Sequence, residues 1–136
     1  MIQIIAGKKG SGKTKRLIDL TNTTAAESHG SVVFLDDDNS YMFDIDRKVR
    51  FVNASDYHVK SAEMFVGFLC GMLSQNFDIS TIFIDAFTRL CKTDLGSAGW
   101  IFDTMNELSD KNSVNFVLSV SAAPDELPEF MQKYII

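Results

Sequence analysis

Cysteine is scarce in this sequence, and a long apolar run is missing. The two cysteines, Cys70 and Cys91, lie far apart in the chain, which favours free thiols in a reducing compartment over a disulfide. The longest apolar stretch, residues 64–73, is too short to span a bilayer. No signal peptide precedes the first strand-like run. We therefore expect a cytoplasmic protein without a membrane span.

Positive charge is also in short supply. The chain has 13 lysines and arginines against 18 acidic residues, which gives a formal net charge of −5. Nucleic-acid binding by counterion release needs a positive surface, so this balance argues against a general nucleic-acid partner. Internal repeats, linkers and low-complexity tracts are absent. A length of 136 residues then predicts one domain, residues 1–136.

Strand-like and helix-like patterns alternate along the chain. This alternation predicts parallel βαβ units, and hence a three-layer αβα domain with a mainly parallel sheet. The predicted strands are 2–6, 31–38, 49–54, 80–87 and 114–123, and the predicted helices are 13–27, 59–76, 98–110 and 125–133. The helix at 59–76 has a broad apolar face expected to pack on the sheet, with Gly67 and Gly71 permitting close helix packing.

A glycine-rich loop follows the first strand and opens the first helix. Its sequence GKKGSGKT fits the phosphate-loop pattern G-x-x-x-x-G-K-[ST]. The glycines let successive backbone N–H groups point at phosphate oxygens, and the helix adds its positive end to the same anion. The loop predicts binding of a nucleoside triphosphate, here ATP, by Gly7, Lys8, Lys9, Gly10, Ser11, Gly12, Lys13 and Thr14.

Asp85 ends the strand of the segment TIFIDAF. A carboxylate there, downstream of a phosphate loop, is expected to hold Mg²⁺ together with the hydroxyl of Thr14. Lys13 would bridge the β- and γ-phosphates, so Lys13 and Asp85 are both predicted catalytic residues. Ala86 stands where many ATPases have a glutamate that activates water, so any general base must come from elsewhere or be missing.

The acidic run at the end of the second strand, residues 36–38, offers a replacement for this water-activating glutamate. A carboxylate of Asp36 or Asp38 would orient the attacking water, with Asp38 the preferred catalytic residue; the alternative is a solvated acidic turn. Ser119 and Ser121 interrupt the last strand and share one face by alternation. They are expected either to sense the γ-phosphate or to be satisfied by nearby backbone.

These segments together resemble the P-loop NTPase superfamily, and within it a minimal RecA-like ATPase core. GKKGSGKT, VVFLDDD, TIFIDAFTRL and FVLSVS carry the resemblance in that order, and only the first is a specific motif. The resemblance implies a P-loop NTPase domain, a catalytic acid after the second strand, where Asp38 falls, and a polar residue at the end of the strand after Asp85, where Ser119 or Ser121 falls. The DNA-binding loops of that group are missing.

The extra lysines bring a second resemblance, to the deviant phosphate loop of ParA/MinD-like ATPases. In that group a lysine at the place of Lys8 reaches the nucleotide of a partner subunit, but Lys9 here replaces a glycine of the pattern. Otherwise Lys8 and Lys9 are solvated charges that attract an anion. Arg89 is either a finger on a neighbouring subunit's nucleotide or a surface ion pair.

The predicted function is a Mg²⁺-dependent, slow ATPase whose nucleotide cycle controls association with a partner, either a second copy or another protein. A nucleotide switch without turnover and a small-molecule kinase stay open as alternatives. A kinase needs a lid, to which Arg47 and Arg50 would belong, and an acceptor pocket. A GTPase is disfavoured because the N-K-x-D motif is absent.

Overall fold

One sheet of five parallel strands forms the centre of the protein. The computed structural model describes residues 1–136, the whole chain. The strands are β1 (Ile2–Gly7), β2 (Ser31–Asp36), β3 (Arg50–Asn53), β4 (Ile79–Ile84) and β5 (Asn115–Ser121). Their order across the sheet is β1-β5-β4-β2-β3, and every pairing is parallel. The main chain of Ile4 also pairs with Tyr134 and Ile136, so the C-terminal residues cover the free edge of β1.

Helices cover both faces of the sheet. They are α1 (Lys13–Glu27), α2 (Ala62–Gln75), α3 (Phe87–Cys91), α4 (Gly99–Asn112) and α5 (Glu129–Gln132). Only α1 packs on one face, while α2, α3 and α4 pack on the other. The predicted three-layer α/β fold is therefore confirmed. None of the helices combines the length and the apolar character that crossing a membrane requires.

Strand β2, which lies between β4 and β3, contributes side chains to both apolar cores. Val32 and Phe34 belong to the cluster beneath α1, whereas Val33 and Leu35 belong to the larger cluster beneath α2, α3 and α4. Successive side chains point to opposite faces of a strand, so a strand covered on both sides must be apolar throughout. This explains the continuous run that predicted a buried strand.

The predicted last helix, residues 125–133, is wrong. The segment instead forms a 3-10 turn, Pro124–Glu126, and the single turn of α5. Pro128 interrupts the helix because proline lacks an N–H and pushes the residue before it out of the helical region. Leu127 accordingly has φ −73° and ψ 145°, an extended conformation.

Helix α2 also differs from its prediction. It begins only at Ala62, because the side chain of Ser61 accepts a hydrogen bond from the N–H of Met64 and caps the helix. The two glycines of α2 do not serve close packing: a Cβ atom at Gly67 or Gly71 would meet no atom within 4 Å. Both glycines therefore lie on the outer side of the helix.

Candidate functional site

The glycine-rich loop joins β1 to α1 at the carboxyl edge of the sheet. Gly10 has φ +84° and Gly12 has φ +86°, a left-handed conformation that favours glycine over all other residues. The N–H of Ser11 donates to the carbonyl of Lys8 at 3.0 Å and closes the turn. Gly12 immediately precedes α1, whose first turn contains no acidic side chain. The first N–H groups of α1 are thus free for an anion.

Thr14, in the first turn of α1, faces Asp85 at the end of β4. Its hydroxyl lies 3.4 Å from both carboxylate oxygens of Asp85. Hydroxyl and carboxylate oxygens are ligands that Mg²⁺ accepts, and two oxygens bound side by side to one Mg²⁺ lie about 3 Å apart. The two groups therefore fit a magnesium ion, with Asp85 bound directly or through water.

Ser119 holds Asp85 in this position. Strand β5 lies between β1 and β4, and the buried hydroxyl of Ser119 donates to Oδ1 of Asp85. The same hydroxyl accepts a hydrogen bond of 3.0 Å from the N–H of Ala86. Ala86 has φ +56°, a strained conformation for a residue with a side chain, and directly precedes α3. Ser119 therefore fixes both Asp85 and the turn that follows it.

A cleft of about 1020 Å³ opens above these residues. Both signs of charge line the cleft: the cations are Lys9, Lys13, Lys15 and Arg89, and the carboxylates are Asp19, Asp44 and Asp85. Such a wall suits a ligand that carries both phosphates and a divalent cation. Ser119 and Ser121 line the cleft as well.

Asp36 lies next to Asp85 on the neighbouring strand but does not line the cleft. Its side chain is 1% exposed, and Oδ2 has no hydrogen-bond partner. Burial raises the pKa of Asp36 to about 8; the N–H of Asp37 opposes this change, and the charge of Asp85 adds to it. At neutral pH this carboxyl group therefore keeps its proton in the free protein.

The other two carboxylates of the acidic run point elsewhere. Asp38, the preferred catalytic residue of the sequence prediction, is exposed and accepts a hydrogen bond of 2.9 Å from the N–H of Ser40. This bond lowers the pKa of Asp38. Asp37 forms a two-point ion pair with Arg89, with N···O distances of 2.8 and 3.1 Å. The three carboxylates approach within 4.8 Å of one another, but Asp38 does not line the cleft.

Arg89 and Lys9 line the cleft, whereas Lys8 lies at the surface outside it. Arg89 lines the cleft while bound to Asp37, and this bond raises the pKa of its guanidinium. Lys9 lines the cleft too. Lys8 points away from it and lies 3.7 Å from Glu126, with both side chains exposed. Within one chain, Lys8 is therefore a surface charge.

The structure adds a wall of the cleft that sequence reasoning missed. Tyr41 and Asp44 line it from a segment that contains the 3-10 turn Met42–Asp44. Asn22 of α1 holds this segment: its amide donates to the carbonyl of Asp44 at 3.0 Å, and its oxygen accepts from the N–H of Asp46 at 2.8 Å. No motif marks such a long-range bond, so only the fold reveals it.

Comparison with known protein families and curated proteins assigns no function to this chain. No protein-family model matches the sequence, and no curated protein matches it. The residues of the cleft must therefore be interpreted by their chemistry.

Proposed function

We propose that the chain binds a nucleoside triphosphate, ATP, together with Mg²⁺ in the cleft above the glycine-rich loop. The observation that carries this proposal is the position of Thr14, which directly follows the loop and lies 3.4 Å from both oxygens of Asp85. A phosphate site and a magnesium site thus adjoin each other at one sheet edge. This arrangement is what a P-loop NTPase with a RecA-like core requires, and it supports that resemblance.

Each residue of the site has a role in this proposal. The N–H groups of the loop and of the first turn of α1 bind phosphate oxygens, and Lys13 binds the β- and γ-phosphates. Thr14 and Asp85 hold Mg²⁺, which offsets the negative charge on the phosphate oxygens. Ser119 keeps the carboxylate of Asp85 oriented toward Thr14.

Hydrolysis at this site is expected to be slow. Ala86 provides no carboxylate after Asp85, Asp38 points to Ser40, and Asp36 is buried and protonated at neutral pH. Asp19, which lines the cleft, is bound to Lys15 at 3.0 Å. General-base catalysis contributes about 10²–10⁴-fold to such reactions, so a site that lacks the carboxylate after Asp85 turns over slowly.

Slow turnover suits a protein whose nucleotide state controls an association. Beside the cleft, Tyr41, Met42 and Phe43 expose apolar side chains, and Phe43 is 92% exposed. Asn22 connects this segment to α1, the helix that begins at the phosphate loop. The partner, a second copy or another protein, is expected to contact Phe43.

A small-molecule kinase is the second candidate, because the cleft continues past the loop. It extends along α1 to Asn22, Tyr41 and Asp44, where an acceptor would fit beyond the γ-phosphate. The lid predicted from Arg47 and Arg50 receives no support: neither lines this cleft, and Arg50 lies on β3. ATP consumption that depends on an added acceptor would favour the kinase.

The test compares Mg-ATP binding and phosphate release for the parent chain, Lys13→Ala and Lys111→Ala. Lys111 lies on α4, away from the cleft, and controls for the loss of one positive charge. We expect Lys13→Ala to weaken binding by about tenfold or more, since it removes charged hydrogen bonds to phosphate. Equal binding by the parent and Lys13→Ala, or no binding by the parent, would overturn the proposal.

A further inference from the structure

A second cavity, of about 510 Å³, lies at the opposite end of the sheet from the nucleotide cleft. It exists because β3 is short. Strand β3 pairs with β2 only from Val33 to Asp36, so the first residues of β2, Ser31 and Val32, have no strand beside them on this edge. The gap is bounded by β2, β3 and the C-terminal half of α2.

The walls of this cavity are partly apolar and partly polar. Val33 and Val52 of the sheet are almost fully buried, whereas Phe68 and Met72 of α2 are partly exposed. The ring of Tyr57 packs against that of Phe68 at 5.7 Å between centroids, although Tyr57 is 52% exposed. Tyr57, Phe68 and Met72 therefore leave apolar surface uncovered at the cavity.

The only charged residues that line the cavity are the cations Lys48 and Arg50. Neither forms an ion pair within the chain. The side chain of Arg50 makes a single long hydrogen bond, 3.5 Å, to the hydroxyl of Tyr57. Two cations and no carboxylate line this partly apolar cavity, which therefore complements an anion that has an apolar body.

We propose that this cavity binds a small amphiphilic carboxylate, such as a medium-chain fatty acid. The carboxylate lies between Lys48 and Arg50, and the apolar chain packs against Tyr57, Phe68 and Met72. The volume lies within the range of about 300–1,000 Å³ that is usual for small-molecule sites. This site is separate from the nucleotide cleft and does not depend on the function proposed for it.

The experiment measures decanoate binding by isothermal titration calorimetry, below the concentration at which decanoate forms micelles. We expect one saturable site in the native chain. The double variant Lys48→Gln/Arg50→Gln should weaken binding by about tenfold or more, because it removes the charged hydrogen bonds to the carboxylate. The double variant Lys60→Gln/Lys111→Gln loses the same charge outside the cavity and should bind like the parent.

Two further measurements separate recognition of the anion from simple apolar binding. Decanol, which lacks the carboxylate, should bind at least about tenfold more weakly than decanoate. Met72→Trp fills the cavity and leaves both cations in place, so it should also abolish binding. Absence of saturable binding to the native chain, parent-like binding by either cavity variant, or equal binding of decanol and decanoate would overturn the proposal.

Discussion

The buried carboxyl group of Asp36 makes the stability of the fold depend on its ionisation. Its side chain is buried beside Asp85, and Oδ2 has no partner, so ionisation of Asp36 leaves an uncompensated charge inside the protein. The protein tolerates the group by keeping it protonated, with a pKa raised to about 8 by burial. Ionisation of such a buried acid lowers the free energy of unfolding.

The raised pKa of Asp36 predicts a pH dependence of unfolding. Between pH about 4 and pH about 8, native Asp36 holds a proton that the unfolded chain has lost, so its contribution to the free energy of unfolding falls as pH rises. Asp36→Asn cannot ionise, and it should be more stable than the parent at pH 8 by on the order of a few kcal/mol. Urea unfolding at several pH values checks this. Parallel pH profiles of the two proteins would contradict it.

Glycine positions give a second prediction at this scale. Gly71→Ala should raise the free energy of unfolding by about 0.5–1 kcal/mol, because alanine restricts the unfolded chain and a Cβ at this site meets open space. Gly30→Ala is the matched control: its Cβ would lie 2.5 Å from the carbonyl oxygen of Asp78 and should destabilise the fold. Midpoints of urea unfolding measure both. Destabilisation by Gly71→Ala would show that the glycine has a packing role.

At the scale of elements, Asn22 joins α1 to the segment that forms one wall of the cleft. The segment contains only one short 3-10 turn, and Tyr41, Met42 and Phe43 in it are exposed. Its place beside the cleft therefore depends on the two hydrogen bonds of Asn22, together with the buried side chain of Ile45. The two hydrogen bonds of Asn22 therefore link the segment to α1, the helix that begins directly after the phosphate loop.

Asn22→Ala tests this connection. Loss of both hydrogen bonds should lower the protection of the Asp46 amide against hydrogen exchange and cost about 1 kcal/mol of stability. NMR-detected exchange measures the protection. Asn106→Ala, which removes a hydrogen bond to the hydroxyl of Tyr134, should leave Asp46 unaffected. Unchanged exchange at Asp46 in Asn22→Ala would mean that other contacts hold the segment.

At the scale of the whole molecule, the parallel sheet gathers the proposed nucleotide site from separate parts of the chain. The loop follows β1, Asp85 follows β4 and Ser119 lies in β5, so residues far apart in sequence meet at one edge. The second cavity lies at the other end of the sheet. Ligands at the two sites would therefore not compete for space.

A ligand that binds only the native chain must stabilise it. Mg-ATP at about 100 times its dissociation constant should add about 2.7 kcal/mol to the free energy of unfolding. Removal of Mg²⁺ with EDTA should reduce this gain, since Thr14 and Asp85 would lose the ion that links them to the phosphates. Thermal unfolding with and without EDTA measures the effect. Asp85→Asn should show little difference between the two conditions, and a parent-like Mg²⁺ dependence would remove Asp85 from the site.

Local sequence patterns are enough to predict the α/β class, the strands of the sheet and the position of the glycine-rich loop. These features depend on local chemistry: an apolar run predicts a strand covered on both faces, and glycine permits the left-handed conformation found at Gly10 and Gly12. Pro128 likewise acts locally, because it interrupts the helix that was predicted over residues 125–133.

The burial and the partners of individual side chains could be read only from the tertiary structure. The acidic run offered three similar carboxylates, and the fold buried Asp36, paired Asp37 with Arg89 and left Asp38 at the surface. It likewise placed Lys9 at the cleft and Lys8 beside Glu126. Neighbouring residues of one type look alike in sequence, because their burial, their pKa and their partners depend on distant segments that only folding brings into contact.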